Sequence, residues 1–160
     1  MHIILEGRYR VEKILITGFS GFVGHHFLEY LYSHQIEMEV YGVDIKTPAY
    51  EYSHYEKSFP IQFKILDLLD IEELRNCFME FTPDYILHLA SFSSVAYSWQ
   101  NPTESFTNNT NIFLNLITVV KEFNSRCRIL SIGSSEEYGN VTKEDIPIKE
   151  RLPLKPLSPY

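Results

Sequence analysis

The run Thr17-Gly18-Phe19-Ser20-Gly21-Phe22-Val23-Gly24 is where residue type and spacing point most directly to chemistry. It follows the aliphatic stretch Ile14-Leu15-Ile16 and leads into apolar residues at helical spacing. Gly18 permits a tight turn, Gly21 lets a pyrophosphate approach the backbone, and Gly24 lets the helix pack closely on the strand. The N–H groups at the start of such a helix have no intrahelical partners and face an anion. The spacing is GxxGxxG, one residue longer than GxGxxG, in the strand–glycine–helix context that the dinucleotide fingerprint requires. A phosphate-binding P-loop is the rival. Its GxxxxGK(S/T) signature is absent, and no lysine occurs between Thr17 and Gly24. Gly18, Phe19, Ser20, Gly21, Phe22, Val23 and Gly24 are therefore the candidate cofactor contacts.

Asp44 ends the next strand, 20 residues past Gly24. A carboxylate there accepts both hydroxyls of an adenosine ribose and repels a 2′-phosphate. The pattern implies a bound dinucleotide, NAD ahead of NADP. NADP stays possible because Lys46 stands two residues on.

The elements that must carry this loop alternate. Strands are expected at 14–16, 40–43, 61–66, 85–89 and 128–133, and helices at 22–33, 71–81 and about 102–124. Asp70 is an expected N-cap, and Pro102 stands near the start of the long helix. Residues 45–60, 91–101 and everything after Ser134 read as loop. This order predicts an α/β fold, a Rossmann-like doubly wound parallel sheet of about five strands. Residues 13–160 form the cofactor-binding domain and 1–12 an N-terminal extension.

Bulk properties narrow the partners. A net charge of −7 argues against non-specific nucleic-acid binding and against an anionic membrane surface. No apolar run approaches the ~18 residues of a membrane span. Cys77 and Cys127 stand 50 residues apart without a CxxC or a nearby histidine pair, so neither a metal site nor a disulfide framework is expected. The compartment reads as reducing and cytoplasmic.

Seven motifs in order resemble the extended short-chain dehydrogenases that modify nucleotide sugars, nearest to GDP-mannose 4,6-dehydratases and GDP-6-deoxy-mannose reductases. They are the glycine loop, Asp67-Leu68, His88-Leu89-Ala90, Ser98-Trp99-Gln100-Asn101-Pro102, Asn115-Leu116, Gly133-Ser134-Ser135-Glu136-Glu137-Tyr138-Gly139, and Pro156-Leu157-Ser158-Pro159-Tyr160. The resemblance implies roles. Asp67 and Leu68 hold the adenine, and Leu89 and Ala90 pass under the pyrophosphate and ribose. Ser134 bonds the sugar's 4-oxygen, Glu136 is the active-site base, and Tyr160 is the catalytic tyrosine of a Tyr-x-x-x-Lys motif. His88 reads as a packed strand-end residue, and Trp99 as packing for the loop under the cofactor. Ser91-Phe92 stand where relatives carry Ala-Gln, and Ile112-Phe113 where they carry Gly-Thr.

The family's chemistry starts with oxidation at C4 of a hexose, the tyrosine taking the hydroxyl proton. A free phenol has a pKa of about 10, which a neighbouring lysine lowers. The C4 ketone acidifies C5–H, a carboxylate removes that proton, and water leaves from C6. The sequence ends at Tyr160, before the lysine expected four residues on and before the remaining strands and the substrate region. The 160 residues alone are therefore expected to turn over poorly or not at all. Three readings stay open: a nucleotide-sugar dehydratase, a reductase or epimerase of the same superfamily, and a non-catalytic dinucleotide-binding module. The helix at 102–124, apolar on most sides, is expected to support a homodimer or looser self-association.

Overall fold

The computed structural model describes residues 10–124 and 126–160. Five strands, β1 (Glu12–Thr17), β2 (Met38–Asp44), β3 (Ile61–Ile65), β4 (Tyr85–His88) and β5 (Arg128–Ser131), form one parallel sheet in the order β3-β2-β1-β4-β5. Helices α1 (Phe22–Ser33), α2 (Ile71–Phe81), α3 (Val95–Gln100) and α4 (Pro102–Phe123) connect them. The expected doubly wound parallel sheet is the observed one.

Alternation along β1 explains the two layers. Ile14 and Ile16 point to one face, where α1 contributes Leu28 and Leu31 and the β2–β3 connection adds Tyr55 and Phe59. Leu15 points to the other face, where α2 contributes Leu74, Phe78 and Phe81 and α4 contributes Ile112, Leu116 and Val119. The guanidinium of Arg75 joins Glu122 across the α2–α4 seam at 2.9 Å.

Helix ends follow local chemistry. The Asp70 side chain accepts from Glu73 N–H at the start of α2, and Thr82, with φ +51°, closes that helix ahead of Pro83. At the end of α4, Asn124 Nδ2 donates to Pro83 O at 2.9 Å and ties the two helix ends together.

Three expectations change. Residues 91–101 are not all loop, because Ser94 caps the short helix α3 by accepting from Tyr97 N–H. Two 3-10 turns, Ser135–Tyr138 and Lys143–Asp145, punctuate the segment after Ser134. The first strand begins at Glu12 and not at Ile14, and Arg10 ahead of it pairs with Asp84 at 3.2 Å. The rest of the extension, residues 1–9, lies outside the described residues. No helix of the described residues is long and apolar enough to cross a membrane.

Candidate functional site

Because every strand is parallel, all C-terminal ends share one edge, which carries Thr17, Asp44, His88 and Ser131. Strand order reverses between β1 and β4, and ligands of open α/β sheets bind in the crevice at such a point. A cavity of about 620 Å³ lies there. Its walls include Gly18, Gly21, Phe22 and Val23 from the glycine loop, Asp44 and Lys46 after β2, Leu68 after β3, and Leu89 and Ala90 after β4.

The glycines have distinct reasons to be glycine. Gly18 has φ +69°, and a Cβ there would stand 2.7 Å from Ala90 N. Gly24 is buried beneath the loop, where a Cβ would come within 2.4 Å of Phe19 O, so it governs packing and does not line the cavity. A Cβ on Gly21 would meet only Gly18 O, at 3.1 Å, and the residue is exposed on the cavity wall. Gly21 is also the N-cap of α1 and offers no side-chain acceptor, whereas α2 and α3 are capped by Asp70 and Ser94. The first N–H groups of α1 are thus left open toward the cavity, as a phosphate requires.

Ser20 N–H donates to Asp44 Oδ2 at 2.9 Å, and Ser20 Oγ donates to Lys46 O at 2.6 Å. The loop and the acid are therefore set against each other before any ligand arrives. Leu68 is held from α4, where Asn115 Nδ2 donates to Leu68 O at 2.9 Å. Asn109, also on α4, both accepts from Phe92 N–H at 2.8 Å and donates to Phe92 O. These two asparagines position the cavity walls.

Besides Gly24, three expected contacts, Phe19, Ser20 and Asp67, stand off the cavity wall. Phe19 is fully buried, with its ring among Tyr50, Tyr52 and Phe63. Its N–H donates to Val43 O, so it is not left for a phosphate, and its carbonyl accepts from Tyr50 O–H. Burial pushes the Tyr50 phenol well above its usual range, which keeps it a donor. Asp67 lies outside the cavity wall, and its Oδ1 accepts from Leu69 N–H at 2.9 Å, shaping the turn that presents Leu68. Trp99 does not pack under the cavity either; it is 61% exposed on α3. Ile112 and Phe113 fill space: Ile112 is buried on the cavity wall, and Phe113 stacks on His88.

A second cavity of about 310 Å³ adjoins the first. Ser134, Glu136 and Tyr160 line it together with His88, and Tyr160, Leu89 and Ala90 belong to both cavities. Ser134 Oγ accepts from Glu136 N–H at 3.2 Å, which sets the turn carrying the acid. The Glu136 carboxylate is exposed.

The fold and this paired site define a nucleotide-binding α/β protein of the doubly wound class. Residues 15–160 match the family model described as GDP-mannose 4,6 dehydratase. The chain belongs to the extended short-chain dehydrogenase family of NAD-dependent nucleotide-sugar epimerases and dehydratases. It is 32% identical over 149 residues to a UDP-glucose 4-epimerase of Streptococcus mutans, covering 92% of this chain and 42% of that protein. It is 28% identical over 159 residues to a dTDP-glucose 4,6-dehydratase of Haemophilus influenzae, covering 92% and 47%. Among solved structures, the UDP-glucose 4-epimerase of Thermus thermophilus in complex with NAD superposes with a TM-score of 0.76 at 30% identity, over 92% of this chain and 46% of that one. The chain thus spans about half the length of the curated relatives it matches.

Proposed function

We propose that residues 13–160 are the NAD-binding portion of a nucleotide-sugar 4,6-dehydratase acting on a GDP-mannose-like substrate. The observation that carries this reading is the joined pair of cavities, with Tyr160 on the wall between them. The larger one takes the dinucleotide. Gly21 and the open N–H groups of α1 face its pyrophosphate, Asp44 takes the adenosine ribose, and Leu68 contacts the adenine. Bound NAD supplies a hydride acceptor. The smaller cavity takes the hexose. There Tyr160 takes the proton from the C4 hydroxyl, Ser134 holds the 4-oxygen, and Glu136 removes the C5 proton. The solved structures of a Thermus thermophilus and a Bifidobacterium longum UDP-glucose 4-epimerase with NAD or NAD+ support the cofactor.

A second reading, a UDP-glucose-type 4-epimerase, is favoured by the 32% identity to the Streptococcus mutans protein. Calorimetry with NADH and NADPH tests the cofactor, and tighter NADH binding is expected. NADPH binding as tight as NADH overturns the role given to Asp44. Saturation transfer to the hexose protons of GDP-mannose and UDP-glucose, each with the NAD-loaded chain, tests the sugar. Preferential binding of UDP-glucose moves the assignment to the epimerase.

A further inference from the structure

Thr17 and His88 end the adjacent strands β1 and β4 and stand opposite each other in register. Thr17 is fully buried, and its Oγ1 lies 2.7 Å from His88 Nδ1. The backbone N–H of Ala90 donates to that oxygen at 3.3 Å, and the N–H of Leu89 is shared between it, at 3.2 Å, and the backbone carbonyl of Thr17, at 3.1 Å. A hydroxyl oxygen accepts at two lone pairs and has one proton to give. With these two N–H groups already directed at the oxygen, the Thr17 proton goes to the acceptor within reach among the described residues, His88 Nδ1. The opposite tautomer would place a third donor on one oxygen and strand the hydroxyl hydrogen in a site without solvent.

The imidazole therefore carries its proton on Nε2. Burial lowers its basicity, so it stays neutral. Phe113 stacks against the ring, with centroids 5.5 Å apart and planes 26° from parallel, and this fixes its plane. His88 lines the smaller cavity beside Ser134, Glu136 and Tyr160, and Nε2 has no hydrogen-bond partner among the described residues.

We propose that His88 donates a hydrogen bond from Nε2 to an uncharged oxygen, hydroxyl or keto, of the sugar in the smaller cavity, orienting the substrate without exchanging a proton with it. The proposal rests on reading that cavity as the sugar site. Proton transfer is excluded because releasing Nε2–H would require a proton at Nδ1, and that nitrogen is held by Thr17.

Long-range ¹⁵N–¹H spectra of the labelled 160-residue chain at neutral pH read both ring nitrogens. The expected result is an unprotonated Nδ1 and a protonated Nε2; a proton on Nδ1 overturns the proposal. GDP-mannose is then added to the NAD⁺-loaded chain. Saturation transfer to the hexose ring shows independently whether the sugar is held. The Nε2 proton is expected to shift with GDP-mannose and to stay in place with GDP.

His88→Phe, which keeps the ring stack, should weaken GDP-mannose binding about 10-fold and leave GDP binding unchanged. His88→Gln, whose amide reaches the Nε2 position, should recover most of the loss. A held sugar with an unmoved Nε2 proton overturns the role of His88 and leaves the sugar site standing. Equal weakening of GDP and GDP-mannose does the same. Absence of any transfer to the hexose overturns the sugar site and this proposal with it.

Discussion

Two glycines of one loop should fail in opposite ways when replaced. Gly18→Ala puts a Cβ 2.7 Å from Ala90 N and 2.9 Å from the Leu89 carbonyl carbon, both backbone atoms that no rotamer change can move aside. The residue also sits at φ +69°, which costs an L-residue roughly 1–2 kcal/mol. Overpacking adds roughly 1–3 kcal/mol, giving about 2–5 kcal/mol in total. For a domain of this size that lowers Tm by about 4–20 °C.

Gly21→Val differs at each step. Gly21 has φ −84° and ψ 174°, an extended conformation that valine adopts freely. Its Cβ would meet only Gly18 O, at 3.1 Å. Valine is a poorer N-cap than glycine, but the unfolded chain loses roughly 0.4–1 kcal/mol of conformational freedom in compensation. The net effect on stability stays within about 1 kcal/mol. The isopropyl group stands where the phosphates approach, and overpacking of roughly 1–3 kcal/mol weakens NADH about 5- to 150-fold. Denaturant titration and NADH calorimetry on both variants read the two effects separately. A Gly21→Val chain that binds NADH like wild type refutes the phosphate cradle. A Gly18→Ala chain as stable as wild type refutes the close approach of the β1 and β4 loops.

Asp44→Ala should weaken NADH about 10- to 100-fold by removing a charged acceptor and should narrow the NADH–NADPH gap, both read by calorimetry. Phe19→Ala should cost about 3–5 kcal/mol of stability as a large buried aromatic, while Phe22→Ala, 78% exposed, stays within about 0.5 kcal/mol in the same denaturant assay. The lowered pKa of His88 means that the unfolded chain binds its proton first. The stability this contributes is complete above the unfolded value of about 6.5 and is lost as pH falls through the folded value, so His88→Gln should flatten the wild-type loss of stability between about pH 7.5 and pH 5.5. Phe106, Leu114 and Ile117 leave an exposed apolar stripe on α4, so the chain should self-associate in sedimentation runs at rising concentration, and Leu114→Asp should reduce the association.

What could be read from the residues was what lies close together along the chain. The glycine loop, the Asp70 cap and the bounds of α1 and α2 depend on neighbours within a few positions, and the structure keeps them. Helix α3 escaped notice because six residues make under two turns and show no apolar stripe, and its one signal was Ser94 as a cap. Phe19 looked like a cofactor contact because it sits between two functional glycines. Its real partner is Gly42, where a Cβ would fall 2.3 Å from the Phe19 ring. A glycine inside a strand marks such a close approach, and that signal was present at position 42.

The pair that matters most for the site gave no local signal. Thr17 and His88 are 71 residues apart and meet only because β1 and β4 lie side by side in parallel register. Nothing near His88 in the chain shows that its Nδ1 is engaged, so a strand-end histidine next to an apolar run reads as packing. The reading is correct for one face of the ring, which stacks on Phe113. It misses the edge, because which nitrogen carries the proton depends on the oxygen across the strand pair and on the two N–H groups directed at it. Helix α4 acts in the same way on the larger cavity. Asn109 and Asn115 look like polar positions on a solvated helix, yet they fix Phe92 and Leu68 on the cavity wall through bonds that span 17 and 47 residues. Gly21, Asp44 and Leu68 on the cavity wall therefore stood in motifs, while the residues that set their orientation became legible only once the sheet order was known.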